Sequence, residues 1–179
     1  TDGNFDRGLA VGTLQGRANF GWQLVTVFEV GLHQLAGDIL RSAADLDLPM
    51  VGVSLVSRHG YFSQTLTPEG HQGEEAEIWE PERMCTPLGA KVSIAIEGRE
   101  VWVRAWLHVV EGHLGEQLPV LFLDTDLDDN DAADRELTHF LYGGDATYRF
   151  KQEMILGIGG MRMLRALGFR VRKYHMNEG

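Results

Sequence analysis

Five aspartates crowd one short stretch, Asp124, Asp126, Asp128, Asp129 and Asp131, and carboxylates at alternate positions are the raw material of a calcium loop. An EF-hand counted from Asp124 needs glycine at its sixth position and glutamate at its twelfth; this chain has Asp129 and Arg135 there. The stretch is therefore expected to be a solvated acidic turn. Zinc has no better footing, because the seven histidines include no His-Glu-x-x-His pair and Cys85 has no second cysteine at ligand spacing. No metal site is expected. Ser54 lies in Gly52-Val53-Ser54-Leu55-Val56, which lacks the second glycine of a nucleophile elbow and falls in a buried strand pattern. Gly157-Ile158-Gly159-Gly160 sits inside an amphipathic helix instead of after a strand, so it reads as helix packing and not as a dinucleotide loop. Of the four tryptophans, Trp22, Trp79, Trp102 and Trp106, any could stack on a sugar, but Trp102 and Trp106 occupy alternating strand positions and are expected to pack.

Any such group needs a scaffold, and the apolar pattern predicts one. Leu24, Val25, Val27, Phe28 and Val30 form a β-rich run ending at Gly31, suited to a strand buried on both faces. Leu35, Ile39, Ala43 and Leu46 then recur at helical spacing until Pro49, which cannot continue a helix, and a second buried strand follows at 50–56. Strand, helix and strand make a βαβ unit with parallel strands. Residues 57–89 show no clear period. Val92, Ile94 and Ile96 alternate with polar or small residues, as do Val101, Val103, Ala105 and Leu107, predicting a hairpin about Glu97-Gly98-Arg99-Glu100. A further strand is expected at 119–123.

Asn130 can cap a helix to about Leu141, and Thr147 a longer one to about Leu167, closed by Gly168. Strand character returns at 169–174 and delivers His175, Met176, Asn177, Glu178 and Gly179 to its carboxyl end, the end at which open α/β sheets bind ligands. The expected architecture is α/β, a Rossmann-like parallel sheet flanked by helices. Residues 1–22 form an irregular leader, and 23–179 one domain with a β-rich insertion at about 57–125.

Composition narrows the function classes. A hydrophobic share of 44% and a charged share of 23% are ordinary for a folded domain. A net charge of −10, from 26 acidic and 16 basic side chains, repels a phosphate backbone unless the basic groups gather on one face, so nucleic acid is not expected as a partner. Neutral polysaccharide is compatible with that charge. One cysteine cannot form an internal disulfide and fits a reducing, cytoplasmic setting. No apolar run is long enough to cross a bilayer, and Thr1-Asp2-Gly3-Asn4 lacks the basic end of a signal peptide, so no membrane association is expected.

The run from Leu35 to Val53, Leu-Ala-Gly-Asp-Ile-Leu-Arg-Ser-Ala-Ala-Asp-Leu-Asp-Leu-Pro-Met-Val-Gly-Val, resembles the helix and strand that follow the phosphate loop of bacterial-type α-glucan phosphorylases. Arg58-His59-Gly60-Tyr61-Phe62-Ser63-Gln64 and Leu123-Asp124-Thr125-Asp126 continue the likeness. Leu141-Tyr142-Gly143-Gly144-Asp145, Arg149-Phe150-Lys151-Gln152-Glu153, Leu156-Gly157-Ile158-Gly159-Gly160 and His175-Met176-Asn177-Glu178-Gly179 follow in the family's order and spacing. The resemblance covers about 24–179 and implies the N-terminal half of a two-Rossmann-domain glycosyltransferase fold. The implied activity releases glucose 1-phosphate from an α-1,4-glucan with phosphate and uses pyridoxal phosphate.

Within that resemblance Glu29 matches an active-site acid that hydrogen-bonds water or sugar hydroxyls; the plainer alternative is a carboxylate closing a turn. Asn177 and Glu178 match a loop that binds sugar hydroxyls. His33 and His175 are weaker substrate-side candidates, since a lone histidine is more often structural. Gly31 is a weak cofactor-side candidate and equally a turn glycine. The resemblance also marks two departures. Glu29-Val30-Gly31-Leu32-His33 runs straight into Gln34-Leu35-Ala36-Gly37-Asp38, so the family's glycine-rich loop, whose backbone N–H groups would hold phosphate, is missing. The pyridoxal lysine belongs to a second domain, so the chain is expected to be a fragment that is inactive without the remaining half of the enzyme. A glucan-binding or subunit-pairing relic and, more remotely, a nucleotide-sugar glycosyltransferase are the alternatives. Subunit number stays open, a homo-oligomer included.

Overall fold

A computed structural model describes residues 24–28, 34–141 and 143–177. The chain runs from β1 (Leu24–Phe28) through α1 (Gln34–Asp45) to β2 (Met50–Leu55), then through a hairpin of β3 (Tyr61–Leu66) and β4 (Gln72–Glu77). Three long strands follow, β5 (Thr86–Ile96), β6 (Arg99–Glu111) and β7 (Gln117–Asp124), then a short α2 (Ala132–Arg135). A helical stretch of α3 (Ala146–Met154), a π turn (Ile155–Gly159) and α4 (Gly160–Ala166) leads to β8 (Lys173–Asn177). Six strands form one sheet in the order β5-β6-β7-β2-β1-β8, while β3 and β4 pair separately. β7, β2, β1 and β8 are mutually parallel, and β5 and β6 run antiparallel beside β7. The protein is thus α/β with a mixed sheet, because β5, β6 and β7 of the β-rich insertion join the main sheet while its β3–β4 hairpin stands apart.

Period-two burial explains the layers. Val51, Val53 and Leu55 of β2, with Leu121 and Leu123 of β7, face a core closed by Ile155, Leu156, Met163 and Leu164. Met50 and Val56, with Leu118, Val120 and Phe122, face the opposite core, closed by Leu40, Ala43 and Ala44 of α1. Every residue of β2 is buried, as its continuous apolar run predicts. Leu46, expected on the buried face of α1, is 70% exposed, since the helix ends at Asp45 and Leu48 N–H bonds back to the Ala43 carbonyl. The hairpin at Glu97–Gly98 is as predicted, with φ of 50° and 79° as a two-residue type I′ turn requires.

Three helix and strand expectations are corrected. Asn130 caps no long helix; its side-chain oxygen accepts from Trp102 N–H at 2.7 Å and its amide donates to the Trp102 and Thr125 carbonyls at 2.8 and 2.7 Å. The side chain extends the ladder past the end of β7, so only α2 and a 3₁₀ turn at Glu136–Thr138 remain of that helix. Asp145, not Thr147, caps α3, its carboxylate accepting from Tyr148 N–H at 2.8 Å. The last strand begins at Lys173, because Phe169 folds into the core after the Gly168 turn. The leader, residues 1–22, lies outside the described residues.

Gly159 and Gly160 pack the helical stretch on the sheet, as the sequence suggested, but Gly157 does not. A Cβ at Gly160 would lie 3.3 Å from Val53 Cγ1 and 3.6 Å from Leu123 Cδ1, whereas one at exposed Gly157 would meet nothing within 4 Å. Gly157→Ala is therefore expected to raise stability by about 0.5–1 kcal/mol by restricting the unfolded chain. Gly160→Ala should fall short of that gain, since its methyl must displace Val53. Urea unfolding of the two variants checks this, and equal gains would contradict the packing argument.

Candidate active-site rim

The four parallel strands all end at one edge of the sheet. There β1 stops at Phe28, β2 at Leu55, β7 at Asp124 and β8 at Asn177. The β1–β8 register sets Thr26 opposite His175, Val27 opposite Met176 and Phe28 opposite Asn177. The helix after β1 covers one face of the sheet and the helical stretch before β8 covers the other. The crevice between these two strands is thus where connections change face, the place at which open α/β sheets bind ligands.

Of the residues singled out by sequence, His175 and Asn177 lie in β8, side by side with β1, and the His175 side chain is exposed. Glu29, Gly31, His33 and Glu178 lie outside the described residues, as does the junction at His33–Gln34. Glu29 and Glu178 are nonetheless the next residues in sequence after the paired positions Phe28 and Asn177.

Two strands along the rim stands a charged group that sequence reasoning missed. Asp124, expected in a solvated turn, is instead fully buried. One oxygen, Oδ2, accepts from Arg104 Nε and Nη2 at 3.1 and 2.9 Å, Arg58 Nη2 at 3.2 Å and Trp106 Nε1 at 2.8 Å. Its other oxygen accepts from Asp126 N–H at 2.9 Å. Burial alone would raise the Asp124 carboxyl, but the indole, the backbone N–H and the two guanidinium groups outweigh it and hold the carboxyl below its usual range. Arg58 also reaches Glu82 at 3.4 Å, and the Arg104 guanidinium lies 4.6 Å from the Trp106 ring centre. Trp106 is thus a packing group, as expected, with its polar edge committed to Asp124.

Asp126, Asp128 and Asp129 of the acidic run are ion-paired. Arg135 holds Asp126 at 2.7 Å and Asp128 at 3.0 Å, and Lys91 holds Asp129 at 2.6 Å. Among the described residues no His, Cys, Asp or Glu group is set to hold a metal ion, and no helix is long and apolar enough to cross a membrane. Burial pushes the Cys85 thiol up to about 12, with Glu82 adding to the shift, so at neutral pH it is a protonated thiol and a poor nucleophile.

A maltodextrin phosphorylase from Thermococcus litoralis is 38% identical over 160 residues, spanning 86% of this chain and 19% of its own length. A glycogen phosphorylase from Mycobacterium tuberculosis is 40% identical over 162 residues, spanning 83% of this chain and 18% of its own length. This chain belongs to the glycogen and maltodextrin phosphorylase family. It spans about a fifth of the length of these relatives. The glycogen phosphorylase of Aquifex aeolicus aligns with 85% of this phosphorylase segment at 28% identity. No family model matches the chain.

The segment's own lysines do not fit a Schiff base to pyridoxal phosphate. Lys91 is paired with Asp129 and Lys151 with Glu97, at 2.6 and 2.8 Å, and Lys173 opens β8 at the end away from the rim. These are the sequence's three lysines.

Proposed function

We propose that this segment forms one wall of the active-site cleft of an α-1,4-glucan phosphorylase, an enzyme that releases glucose 1-phosphate from glycogen or maltodextrin. The observation that carries the reading is the parallel register that ends Phe28 and Asn177 side by side at the carboxyl rim. Glu29 and Glu178 continue from those two positions, so two carboxylates and the Asn177 amide start from neighbouring strand ends. Carboxylates accept hydroxyl protons and an amide both donates and accepts, the set needed to orient a sugar ring and to favour developing positive charge at its anomeric carbon. His33 and His175 are the second rank of substrate-side candidates, and Gly31 is a weak cofactor-side candidate.

The sheet with helices on both faces supports a Rossmann-like domain, one half of a two-domain glycosyltransferase fold. In this reading pyridoxal phosphate is held by the remaining half of the enzyme. The single cysteine is in keeping with a cytoplasmic location.

The test uses the full-length protein with maltodextrin and inorganic phosphate. Glucose 1-phosphate should appear, and Asn177→Ala or Glu178→Gln should lower kcat/KM by about tenfold, the worth of a hydrogen bond to a charged or polar substrate group. A second reading rests on the direct Glu29–Asp38 run, in which the glycine-rich phosphate loop is absent. It makes the protein a glucan-binding or subunit-pairing relic. Glucan binding with no phosphorolysis selects the relic, and sugar transfer from a nucleotide sugar with no need for phosphate defeats both.

A further inference from the structure

Among the described residues three buried side-chain polar atoms have no hydrogen-bond partner: Ser57 Oγ, Arg58 Nε and His139 Nε2. They are not scattered. Ser57 and Arg58 immediately precede His59, and His139 immediately precedes Phe140. His59 and Phe140 form an isolated parallel bridge just beyond the carboxyl end of β2. His59 N–H bonds to the His139 carbonyl at 2.8 Å, and Leu141 N–H to the His59 carbonyl at 2.9 Å. The two rings are stacked, with centres 5.0 Å apart and planes at 25°. Phe140 is 42% exposed and Ser57 only 2%.

An unpartnered buried polar atom is costly, so three gathered at one step call for an explanation. Arg58 and His139 keep 13% and 16% of their side chains at the surface, so both border on solvent while Arg58 Nη2 stays on Asp124 and His139 Nε2 lies 3.8 Å from Asp126 Oδ2. The surroundings choose the guest's charge. Glu82, Asp124 and Asp126 oppose an anion, and Arg58 opposes a cation. A neutral molecule with hydroxyls on its edge and C–H groups on its face satisfies both the polar atoms and the exposed ring.

We infer that the His59–Phe140 step is a sugar-binding shelf, with Phe140 as its floor and Arg58 and His139 as hydrogen-bonding walls, taking one glucosyl unit of an α-1,4-glucan. The choice of α-1,4-glucan rests on the function proposed above. The shelf itself rests on the ring pair and the unpartnered groups. It lies on the same rim as the Phe28–Asn177 pair, with β2 and β8 separated only by β1. At roughly 4.8 Å per strand spacing, the two positions are about two strands apart, a span that neighbouring units of one glucan bridge.

The experiment measures binding of maltoheptaose to the full-length protein without phosphate, by calorimetry, alongside phosphorolysis. Phe140→Ala should raise Kd by roughly three- to tenfold, the range of one aromatic face contact. Phe140→Trp should keep Kd within about twofold and add a tryptophan signal that changes saturably with maltoheptaose. Unchanged affinity in Phe140→Ala, or a Phe140→Trp protein whose added signal ignores maltoheptaose, overturns the shelf, and does so even if glucose 1-phosphate is made. Loss of binding in Phe140→Ala with retention in Phe140→Trp upholds it, even in a protein that releases no glucose 1-phosphate.

Discussion

Asp124→Ala is expected to destabilise the protein by about 3–5 kcal/mol, the cost of breaking a buried ion pair from one side. The alanine would leave Arg58, Arg104 and the Trp106 indole facing a void, with four hydrogen bonds to one oxygen gone at once. These partners come from the segment after β2 and from β6, so the loss unfastens the carboxyl rim across three neighbouring strands. The effect also has a pH signature. Because the folded carboxyl titrates below its usual range, its contribution is fully present above the unfolded value of about 3.9 and is lost as pH falls through the lower folded value. In urea titrations the gap between wild type and Asp124→Ala should therefore be constant from neutral pH down to about 4 and close below it. A gap already narrowing at pH 6, or an Asp124→Ala protein as stable as wild type, would contradict the assignment of Asp124 as the anchor.

Asp124 also shows why part of this fold was legible in sequence and part was not. Elements whose residues interact within a few positions declared themselves: the apolar runs of β1 and β2, the helical spacing of α1, the alternation of β5 and β6 about a turn that needs positive φ. The buried state of Asp124 depends on Arg58, 66 positions away, and Arg104, 20 positions away, and no local pattern carries such a pairing. A run of aspartates reads as solvated unless its cations are known. Asn130 failed for a related reason, since its amide fits a helix cap as well as it fits the open end of a strand ladder, and only the neighbouring Trp102 backbone decides. β4, Gln72-Gly73-Glu74-Glu75-Ala76-Glu77, is exposed nearly throughout, so it has no buried face to impose alternation and the hairpin with β3 went unseen. The proposed site divides likewise. Asn177 was proposed from its motif and has a strand partner in Phe28, whereas the His59–Phe140 step joins two segments 81 positions apart, and the motif that holds His59 does not announce Phe140 as its partner.

Gly60→Ala is expected to cost about 2–5 kcal/mol, and the reason lies in that same step. Gly60 has φ of +105°, a backbone state that an L side chain occupies at roughly 1–2 kcal/mol. A methyl there would also lie 2.7 Å from Leu141 Cβ and 2.9 Å from the Leu141 carbonyl oxygen, an overpacking worth roughly 1–3 kcal/mol. Relief is restricted, because the hydrogen bonds from His59 N–H to His139 and from Leu141 N–H to His59 tie the two segments together on either side of the clash. Gly70 supplies the control: its φ is +82° and a Cβ there would meet nothing within 4 Å. Gly70→Ala carries the backbone cost alone, so the difference between the two variants in urea unfolding isolates the contact with Leu141. The methyl can only be accommodated by parting residues 59 and 141, which moves Phe140 off His59. Maltoheptaose affinity should then fall in Gly60→Ala and stay at the wild-type level in Gly70→Ala. Equal stability of the two alanine variants would show that residues 59–60 and 139–141 are not pressed together, and the ring pair would lose its support with them.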